Sequence, residues 1–396
     1  MSDLSQRLEL IKPSATLSIN AKATQLINQG QSIINLSVGE PDIDTPLHIK
    51  AAAIEAIHAG MTRYTSSKGL LELREAISRK FSQENELEYS PSEEIIVTSG
   101  AKQAIYVALQ TILNQGDEVI IPIPYWTSYT ELVKINDGVP VLCPSKKEHD
   151  YKITPQDLES LITPKTRCLI INSPNNPTGM VYTKDELKAI SEVLLAHPRV
   201  FVISDDIYEH IIWSEEPFCN LVNVCPDLKY RTIIINGVSK AYSMTGWRVG
   251  YAAGRADIIK GMQKMISQST TCPNAIAQSA SIEALNGDKS FITEMNKRFR
   301  ERGNFVYEEL SSIPGVSISP CESTFYTFPC VQTIIDNLNL ESDIELCQHL
   351  LENAHVATVP GSAFGQPGHL RLSFASGKSQ LREAIERIKH VFQGQG

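Results

Sequence analysis

The sequence predicts an α/β fold in which a mostly parallel, doubly wound sheet carries helices on both faces. Short apolar segments alternate with helical patterns from about residue 50 to residue 290, which is typical of strand–helix units. Their nearly continuous isoleucine and valine content suits strands that are covered on both faces. The segments are EEIIVTSG, DEVIIPIPYW, RCLIINSPNNPTG, RVFVISDDIYEH and RTIIINGVSK.

Helix-start signals lie between these segments. Thr183 and Glu186 have the spacing of a capping box ahead of KDELKAISEVLLAH. Thr154 is followed by Pro155, and proline is tolerated at the first helical position. These signals predict two of the helices that cover the sheet.

The pattern changes near residue 290, where we expect a smaller α+β domain. Its segments predict two helices and two strands: EMNKRFRERGNFVYEEL, REAIERIKHVF, FYTFP and HLRLSFA. We therefore divide the chain into an N-terminal arm with part of the small domain (1–45), a large domain (46–288) and the rest of the small domain (289–396).

The composition is that of an ordinary globular protein. Hydrophobic residues are 42% of the 396 residues, enough for a sizeable core. A net charge of −9 without a basic stripe argues against a nucleic-acid partner. No run approaches the roughly 18 apolar residues of a membrane helix, which argues against a membrane protein. Eight scattered cysteines without a C-x-x-C pair, and an N-terminus without a signal-peptide core, favour free thiols and a cytoplasmic location.

The residues that follow each strand are candidates for a site, because ligands bind beyond the carboxyl ends of the strands in such sheets. Gly100, Ala101 and Lys102 lead from the first segment into a helix, whose free N–H groups favour a phosphate. Trp126 follows the second segment and is either a core side chain or a stacking platform. Asn176, in a proline-bracketed turn, could present its amide to a ring substituent.

Charged side chains follow the last two segments. Asp205 and Asp206 could be a helix cap or a metal site, and Tyr208 lies three residues beyond Asp205. We predict no metal, because no H-x-x-x-H pattern or acidic cluster supplies further ligands. Lys240 and Arg248 follow the fifth segment. A lysine there is ordinarily a surface charge, but burial can make it a nucleophile or a base.

Together these features match the needs of one cofactor, pyridoxal 5′-phosphate. Its aldehyde requires a lysine and its pyridine nitrogen requires an acid. Its phosphate suits helix N–H groups and an arginine, its phenolic oxygen suits a donor, and its ring suits a stacking face. The sequence therefore predicts a pyridoxal-phosphate enzyme.

Seven motifs, in the same order along the chain, resemble those of the class I pyridoxal-phosphate aminotransferases of fold type I. The resemblance is to the bacterial aspartate aminotransferases whose subgroup includes aspartate/prephenate aminotransferases. It implies transfer of the α-amino group from L-aspartate to 2-oxoglutarate by a ping-pong mechanism in a homodimer with shared active sites. The motifs are KPSAT (12–16), GEPD (39–42), YWTSY (125–129), NSPNNPTG (172–179), SDDIYEH (204–210), SKAYSMTGWRVGY (239–251) and HLRLSFA (369–375).

The resemblance also implies roles for the strand-end residues. Lys240 matches the lysine that forms a Schiff base with the cofactor and then moves the Cα proton of the substrate. Asp205 matches the acid that faces the pyridine nitrogen. Tyr208 and Asn176 match the residues that hydrogen-bond the phenolic oxygen, and Arg248 matches the phosphate-binding arginine.

Further cofactor contacts follow from the same match. Backbone N–H groups of Gly100, Ala101 and Lys102 would bind the phosphate, with Ser239 as another candidate. Trp126 matches the aromatic side chain that stacks on the ring and, like Asn176, is also expected to contact the substrate.

Three matches concern the substrate and the partner subunit. Arg371 matches the arginine that binds the α-carboxylate, although an arginine in an apolar strand could also form a structural ion pair. Gly39 matches a glycine whose main chain lies against the substrate. Tyr64 matches a tyrosine that reaches the phosphate of the neighbouring subunit, which implies an obligate homodimer.

Substrate choice is where the chain departs from the better-known aspartate aminotransferases. Those carry an arginine for the distal carboxylate in the stretch that corresponds to 267–271, which here reads SQSTT. The candidates for that role are Lys102, Lys12, Ser14 and Thr16. Lys12 lies where prephenate-active relatives carry a basic residue, or is a mobile N-terminal charge. Prephenate, aromatic or alanine substrates, and a β-lyase reaction, therefore remain alternatives.

Two other classes of protein are less compatible with the sequence. A regulator with an aminotransferase-like domain needs a DNA-binding segment ahead of it, whereas this sequence starts at the arm before GEPD. A nicotinamide dehydrogenase would also be doubly wound, but no G-x-G-x-x-G follows any strand. We therefore expect an enzyme of amino-acid metabolism.

Overall fold

Three β-sheets organise the computed structural model, which describes residues 4–393. Residues 1–3 of the predicted N-terminal arm and residues 394–396 of the predicted small domain lie outside the described residues. The strands are β1 (Ile34–Asn35), β2 (Ile95–Thr98), β3 (Glu118–Pro122), β4 (Val139–Cys143), β5 (Thr166–Asn172), β6 (Phe201–Asp205), β7 (Thr232–Gly237), β8 (Gly250–Ala253), β9 (Tyr326–Thr327), β10 (Val356–Ala357), β11 (Val359–Pro360) and β12 (Leu370–Ser373).

Helices surround these sheets. The α-helices are α1 (Ala15–Asn28), α2 (Leu47–His58), α3 (Leu71–Asn85), α4 (Ala101–Ile112), α5 (Ser128–Ile135), α6 (Pro155–Leu161), α7 (Lys184–Ala196), α8 (Leu221–Val224), α9 (Ala256–Ser269), α10 (Ala275–Asn286), α11 (Ser290–Ser311), α12 (Gln332–Asn337), α13 (Asp343–His349) and α14 (Lys378–Phe392). Short 3₁₀ helices cover Gln6–Leu10, Lys147–His149, Pro226–Arg231, Thr245–Trp247 and Gly361–Phe364, and a π-helical turn covers Leu350–Ala354.

The central sheet has seven strands in the order β2-β8-β7-β6-β5-β3-β4. The five apolar segments form β2, β3, β5, β6 and β7, and the strands from β7 to β4 pair in parallel. The predicted mostly parallel sheet is therefore confirmed. We did not predict β4 or β8. Strand β4 is a half-exposed edge strand, and β8 is antiparallel to both of its neighbours and rich in small residues.

Helices cover both faces of this sheet, as a doubly wound fold requires. On one face, Ile121 and Ile170 belong to an apolar cluster with side chains of α4 and α9. On the other face, Ile120 and Leu169 pack with side chains of α6 and α7. Neighbouring strand residues point to opposite faces, and both faces are covered by helices. The strands are therefore apolar at successive positions instead of alternating between apolar and polar residues.

The predicted helix-start signals are present in the structure. Thr183 and Glu186 form a reciprocal capping box at the start of α7. At α6, Pro155 occupies the first turn, and Thr154 forms a second box with Asp157. Each box provides partners for N–H groups that the first helical turn leaves without intrahelical acceptors.

Two small sheets lie outside the seven-stranded sheet. Strand β1, from the N-terminal part of the chain, pairs in parallel with β10, and β12 lies between β11 and β9 in an antiparallel sheet. The division of the chain at residues 45 and 288 stays a prediction. Within residues 4–393, no helix combines the length and the apolar content that crossing a bilayer requires.

Candidate active site

A cavity of about 410 Å³ opens at the carboxyl ends of β5, β6 and β7. It is the place where a doubly wound sheet binds ligands. Most of the predicted site residues line it: Gly39, Ala101, Lys102, Trp126, Asn176, Asp205, Tyr208, Ser239, Lys240, Arg248 and Arg371. Ser14 and Thr16 also line it, whereas Gly100, Lys12 and Tyr64 are not among the lining residues.

Lys240 follows β7 and directs its ammonium group into the cavity. Its Nζ donates a hydrogen bond to the Gly39 carbonyl oxygen at 2.6 Å. The pKa of Lys240 is lowered to about 8, mainly by burial and in part by the guanidinium groups of Arg371 and Arg248, while Glu40 opposes the change. Because the neutral amine is then populated near neutral pH, Lys240 is suited to act as a nucleophile or a base.

Asp205, at the end of β6, presents a buried carboxylate to the same cavity. Tyr129 donates a hydrogen bond to its Oδ2 at 2.5 Å, and the Ile207 N–H donates to its Oδ1 at 3.4 Å. Burial raises the pKa of Asp205 to about 6, while the hydrogen bond from Tyr129 opposes that rise. The carboxylate is therefore held in one orientation and would be ionised at neutral pH.

The adjacent acid, Asp206, lies outside the cavity lining. Its carboxylate accepts hydrogen bonds from the Ser204 hydroxyl at 2.6 Å and from the Asn220 amide at 2.9 Å. Burial raises the pKa of Asp206 well above its usual value. Its partners belong to the protein interior, so Asp205 is the member of the pair that can reach a ligand.

The first turn of α4 and Arg248 form a cradle with positive potential. Gly100 precedes α4 with a φ of +88°, and a Cβ atom there would lie 2.4 Å from Arg248 Nη2. Arg248 Nη1 donates to the Thr245 carbonyl oxygen at 2.7 Å. A Cβ atom on Gly250 would lie 2.3 Å from the Ala101 nitrogen, so glycine lets β8 approach α4 closely. Helix N–H groups beside a guanidinium favour an anion such as a phosphate.

Trp126 and Lys102 lie on another side of the cavity. The Lys102 ammonium is 4.9 Å from the centroid of the Trp126 ring, which is within the range of a cation–π interaction. Burial lowers the pKa of Lys102, and the charge of Arg248 contributes to the decrease. The side chain thus presents a partly desolvated cation to the cavity.

Arg371 lies in β12 and is one of the largest fully buried side chains, only 2% exposed. Its Nη2 donates to the Ser37 carbonyl oxygen at 2.7 Å and its Nη1 to Asn176 Oδ1 at 3.2 Å. Within residues 4–393, its Nε has no hydrogen-bond partner and its guanidinium makes no ion pair. A buried cation without an anion is costly unless a ligand supplies the charge.

Two tyrosines, Tyr208 and Tyr326, meet beside Arg371. Their hydroxyl oxygens are 3.1 Å apart, and burial raises the pKa of each. The backbone N–H of Asn176 donates to Asn172 Oδ1 at 3.0 Å, which fixes the turn that carries the Asn176 amide. A Cβ atom on Gly39 would lie 3.0 Å from the Tyr326 hydroxyl, so a larger residue there would crowd the cavity.

Two of the predicted residues, Lys12 and Tyr64, lie away from the cavity lining. The Lys12 backbone N–H donates to Glu131 Oε2 at 2.8 Å, and its side chain is exposed. Tyr64 is 88% exposed, so the part of the chain that the structure describes leaves it uncovered. Ser239, in contrast, is buried in the lining next to Lys240.

Two residues with direct contacts to the site were missed by the sequence analysis. Tyr129, the last residue of the motif YWTSY, lies three positions after Trp126. Tyr326 lies in FYTFP, a segment that predicted only a strand. Both contacts join segments far apart in the sequence, 76 residues for Tyr129 with Asp205 and 118 for Tyr326 with Tyr208.

One cluster of potential metal ligands lies outside the cavity, where Glu84, Glu209 and His210 bring ligand atoms within 4.8 Å of one another. Lys80 contacts Glu209, and Lys289 contacts Glu84. Since both carboxylates already have cationic partners, this cluster is an ion-pair network of the protein interior and surface.

The fold and this cavity define the chain as a fold-type I transferase. Residues 31–388 match the family model for aminotransferase class I and II. The chain belongs to the class I and II aminotransferase family.

Named relatives cover nearly the whole chain. It is 50% identical to an aspartate/prephenate aminotransferase from Nitrosomonas europaea over 97% of this chain and 98% of that protein. The crystal structure of an aspartate aminotransferase from Rhizobium meliloti matches with a TM-score of 0.94 at 43% identity, over 99% of both chains. An aspartate aminotransferase from Thermus thermophilus with maleate matches with a TM-score of 0.93 at 41% identity, over 99% of this chain and 100% of that one.

Proposed function

We propose that this aminotransferase moves the α-amino group of L-aspartate to 2-oxoglutarate, giving oxaloacetate and L-glutamate in a ping-pong reaction with pyridoxal 5′-phosphate. One observation carries the proposal: Arg371 is a buried guanidinium that faces the same cavity as Lys240 and makes no ion pair within the described residues. A substrate α-carboxylate would supply the missing charge. The names of the relatives support aspartate as the donor.

The residues present fit pyridoxal phosphate. The cradle of α4 and Arg248 suits its phosphate, and glycine at position 100 lets the Arg248 guanidinium lie against the start of α4, where a Cβ atom would obstruct it. The buried Asp205 carboxylate suits a protonated pyridine nitrogen, and Lys240 supplies an amine with a pKa of about 8. Trp126 would offer the ring a stacking face.

Pyridoxal phosphate, when bound, supplies an electron sink that makes the Cα proton of an amino acid removable. Lys240 would remove that proton, because its depressed pKa makes the neutral amine available. Asp205 would hold a proton on the ring nitrogen, and Tyr129 keeps the Asp205 carboxylate oriented. Arg371 would hold the α-carboxylate so that the Cα–H bond faces Lys240.

Three polar side chains that line the cavity are candidates for binding the distal carboxylate of the substrate. Lys102 presents a partly desolvated cation, and Ser14 and Thr16 line the same cavity. Lys12 is a weaker candidate, because it is not part of the lining. The relative from Nitrosomonas europaea is also named for prephenate, so prephenate is our second candidate acceptor.

We further propose a homodimer in which Tyr64 reaches the active site of the partner subunit. Leu47, Ile54 and Ile57 of α2 are 79%, 54% and 51% exposed, and their spacing places them along one side of the helix. Exposed apolar faces of this kind mark interaction surfaces. Tyr64 lies just beyond this helix and is itself 88% exposed.

A single-turnover experiment tests the reaction. Enzyme loaded with pyridoxal phosphate and given only L-aspartate should release one oxaloacetate per active site before any oxo-acid is added. Addition of 2-oxoglutarate should then yield glutamate, and the Lys240→Ala variant should give neither product. Stoichiometric pyruvate from alanine but no oxaloacetate from aspartate would refute the substrate assignment, and release of ammonia would indicate a lyase.

A further inference from the structure

We propose that Tyr326 is a positioning residue that joins the substrate-binding and cofactor-binding sides of the cavity. Its ring supports the Arg371 guanidinium, and its hydroxyl orients the hydroxyl of Tyr208. The inference rests on the proposed function, which assigns Arg371 to the α-carboxylate, and on the role that the family resemblance implies for Tyr208 as a donor to the phenolic oxygen of the cofactor.

The small antiparallel sheet places Tyr326 beside Arg371. Tyr326 of β9 pairs directly with Ser373 of β12. Residues two apart on a strand point to the same face, so Arg371 projects on the same side as Ser373 and lies diagonal to Tyr326. Tyr326 is 1% exposed, which fixes its ring within this layer.

The ring of Tyr326 lies against the guanidinium. The centroid of the ring is 4.5 Å from Arg371 Cζ, and Phe364 lies on a second side at 5.1 Å. The Ser37 carbonyl and Asn176 Oδ1 accept hydrogen bonds from the two Nη atoms. Stacking restrains the plane of the guanidinium, and these two bonds restrain its rotation within that plane. The group is therefore held ready for a carboxylate.

The hydroxyl of Tyr326 lies at the other side of the cavity. It is 3.1 Å from the Tyr208 hydroxyl, and either oxygen could be the donor. Burial raises the pKa of both hydroxyls, so each keeps its proton, and when Tyr208 donates to a ligand oxygen the Tyr326 hydroxyl can donate to Tyr208. The proton of Tyr208 is then free to point into the cavity. Because Tyr208 then accepts a hydrogen bond from Tyr326, its own O–H donates a stronger hydrogen bond to an anionic oxygen than it would without that partner.

Two variants separate the two contacts. Tyr326→Phe keeps the ring and removes the hydroxyl, whereas Tyr326→Leu removes both. Tyr89→Phe is the matched control, because Tyr89 is a buried tyrosine whose hydroxyl has no partner among the described residues. The readouts are the pH titration of visible absorbance of the enzyme loaded with pyridoxal phosphate, and the Kd for succinate, an unreactive dicarboxylate.

We expect Tyr326→Phe to raise the pH midpoint of the absorbance titration by about half to one unit, because one hydrogen bond to Tyr208 is lost. Its Kd for succinate should stay within about twofold of the wild-type value. Tyr326→Leu should also weaken succinate binding by about ten- to thirtyfold, since the support under Arg371 is lost. Tyr89→Phe should change neither readout.

If the pH midpoint of the absorbance titration is unchanged in Tyr326→Phe, the proposal that the Tyr326 hydroxyl orients Tyr208 is wrong. This test does not require Tyr326→Leu to fold. Wild-type succinate binding by a folded Tyr326→Leu would overturn the link to Arg371. Arg371→Lys separates this failure from a failure of the proposed function. If Arg371→Lys also binds succinate normally, the role of Arg371 itself is wrong. If Arg371→Lys alone weakens binding, only the inference about Tyr326 is wrong.

Discussion

Replacement of Arg371 tests the binding of the α-carboxylate most directly. The guanidinium offers a fork of donors, and each charge-assisted hydrogen bond contributes roughly 1.5–3 kcal/mol. Arg371→Lys keeps a charge but loses the fork, so we expect kcat/KM to fall about ten- to a hundredfold. Arg371→Met loses both bonds and the charge, so the fall should be on the order of 10² to 10⁴.

The pattern across substrates is as informative as the size of the loss. Aspartate and 2-oxoglutarate both carry a carboxylate at the position that Arg371 would bind, so kcat/KM should fall by similar factors for both. Arg382→Lys is the control, because Arg382 is exposed and lies over Phe305, outside the cavity.

The fold should tolerate Arg371→Met. The Ser37 carbonyl and the Asn176 side chain each lose a donor, but removal of a buried, unpaired charge offsets that cost. We expect the free energy of unfolding in urea to change by less than about 2 kcal/mol. Full kcat/KM in Arg371→Lys for both substrates, with the protein folded, would refute this reasoning.

Two further predictions concern lysines in the cavity. Lys102→Ala should lose about ten- to a hundredfold in kcat/KM with aspartate and much less with alanine, which lacks a second carboxylate, whereas the exposed Lys22→Ala should lose little with either. Equal losses on both substrates in steady-state assays would mean that Lys102 serves only the phosphate. Because the pKa of Lys240 is about 8, its amine is protonated below that pH and neutral above it. The rate at which cofactor-free protein captures pyridoxal phosphate should therefore rise with pH and level off above about pH 8, and a rate that stayed constant from pH 6 to pH 9 would contradict it.

Local sequence patterns were sufficient to predict which strand ends form the site. The strands that carry the site have five to seven mostly apolar residues, and Asp205, Lys240 and Asn176 lie at the end of a strand or within four residues of it. Since parallel strands end at one edge of the sheet, Lys240, Asp205 and Asn176 had to come close together. The family motifs then suggested a role for each of them, and those roles stay predictions.

Choosing between neighbouring residues required the tertiary structure. Asp205 and Asp206 are the same residue type in the same apolar context, and the sequence resemblance alone favoured the first. The structure directs Asp205 into the cavity toward Tyr129, and gives Asp206 partners in the interior. The direction of a side chain at the end of a strand depends on packing around it, which short sequence patterns do not contain.

By itself, the sequence determined the α/β class, the five buried strands and the set of residues at their carboxyl ends, because strand formation and chain order are local properties. Only the tertiary structure revealed the antiparallel insertion of β8, the exposure of Lys12 and the contacts of Tyr326. Arg371 meets the Ser37 carbonyl across 334 residues of chain. Such contacts depend on how two distant segments pack in three dimensions, and packing is a property of the whole fold rather than of any segment.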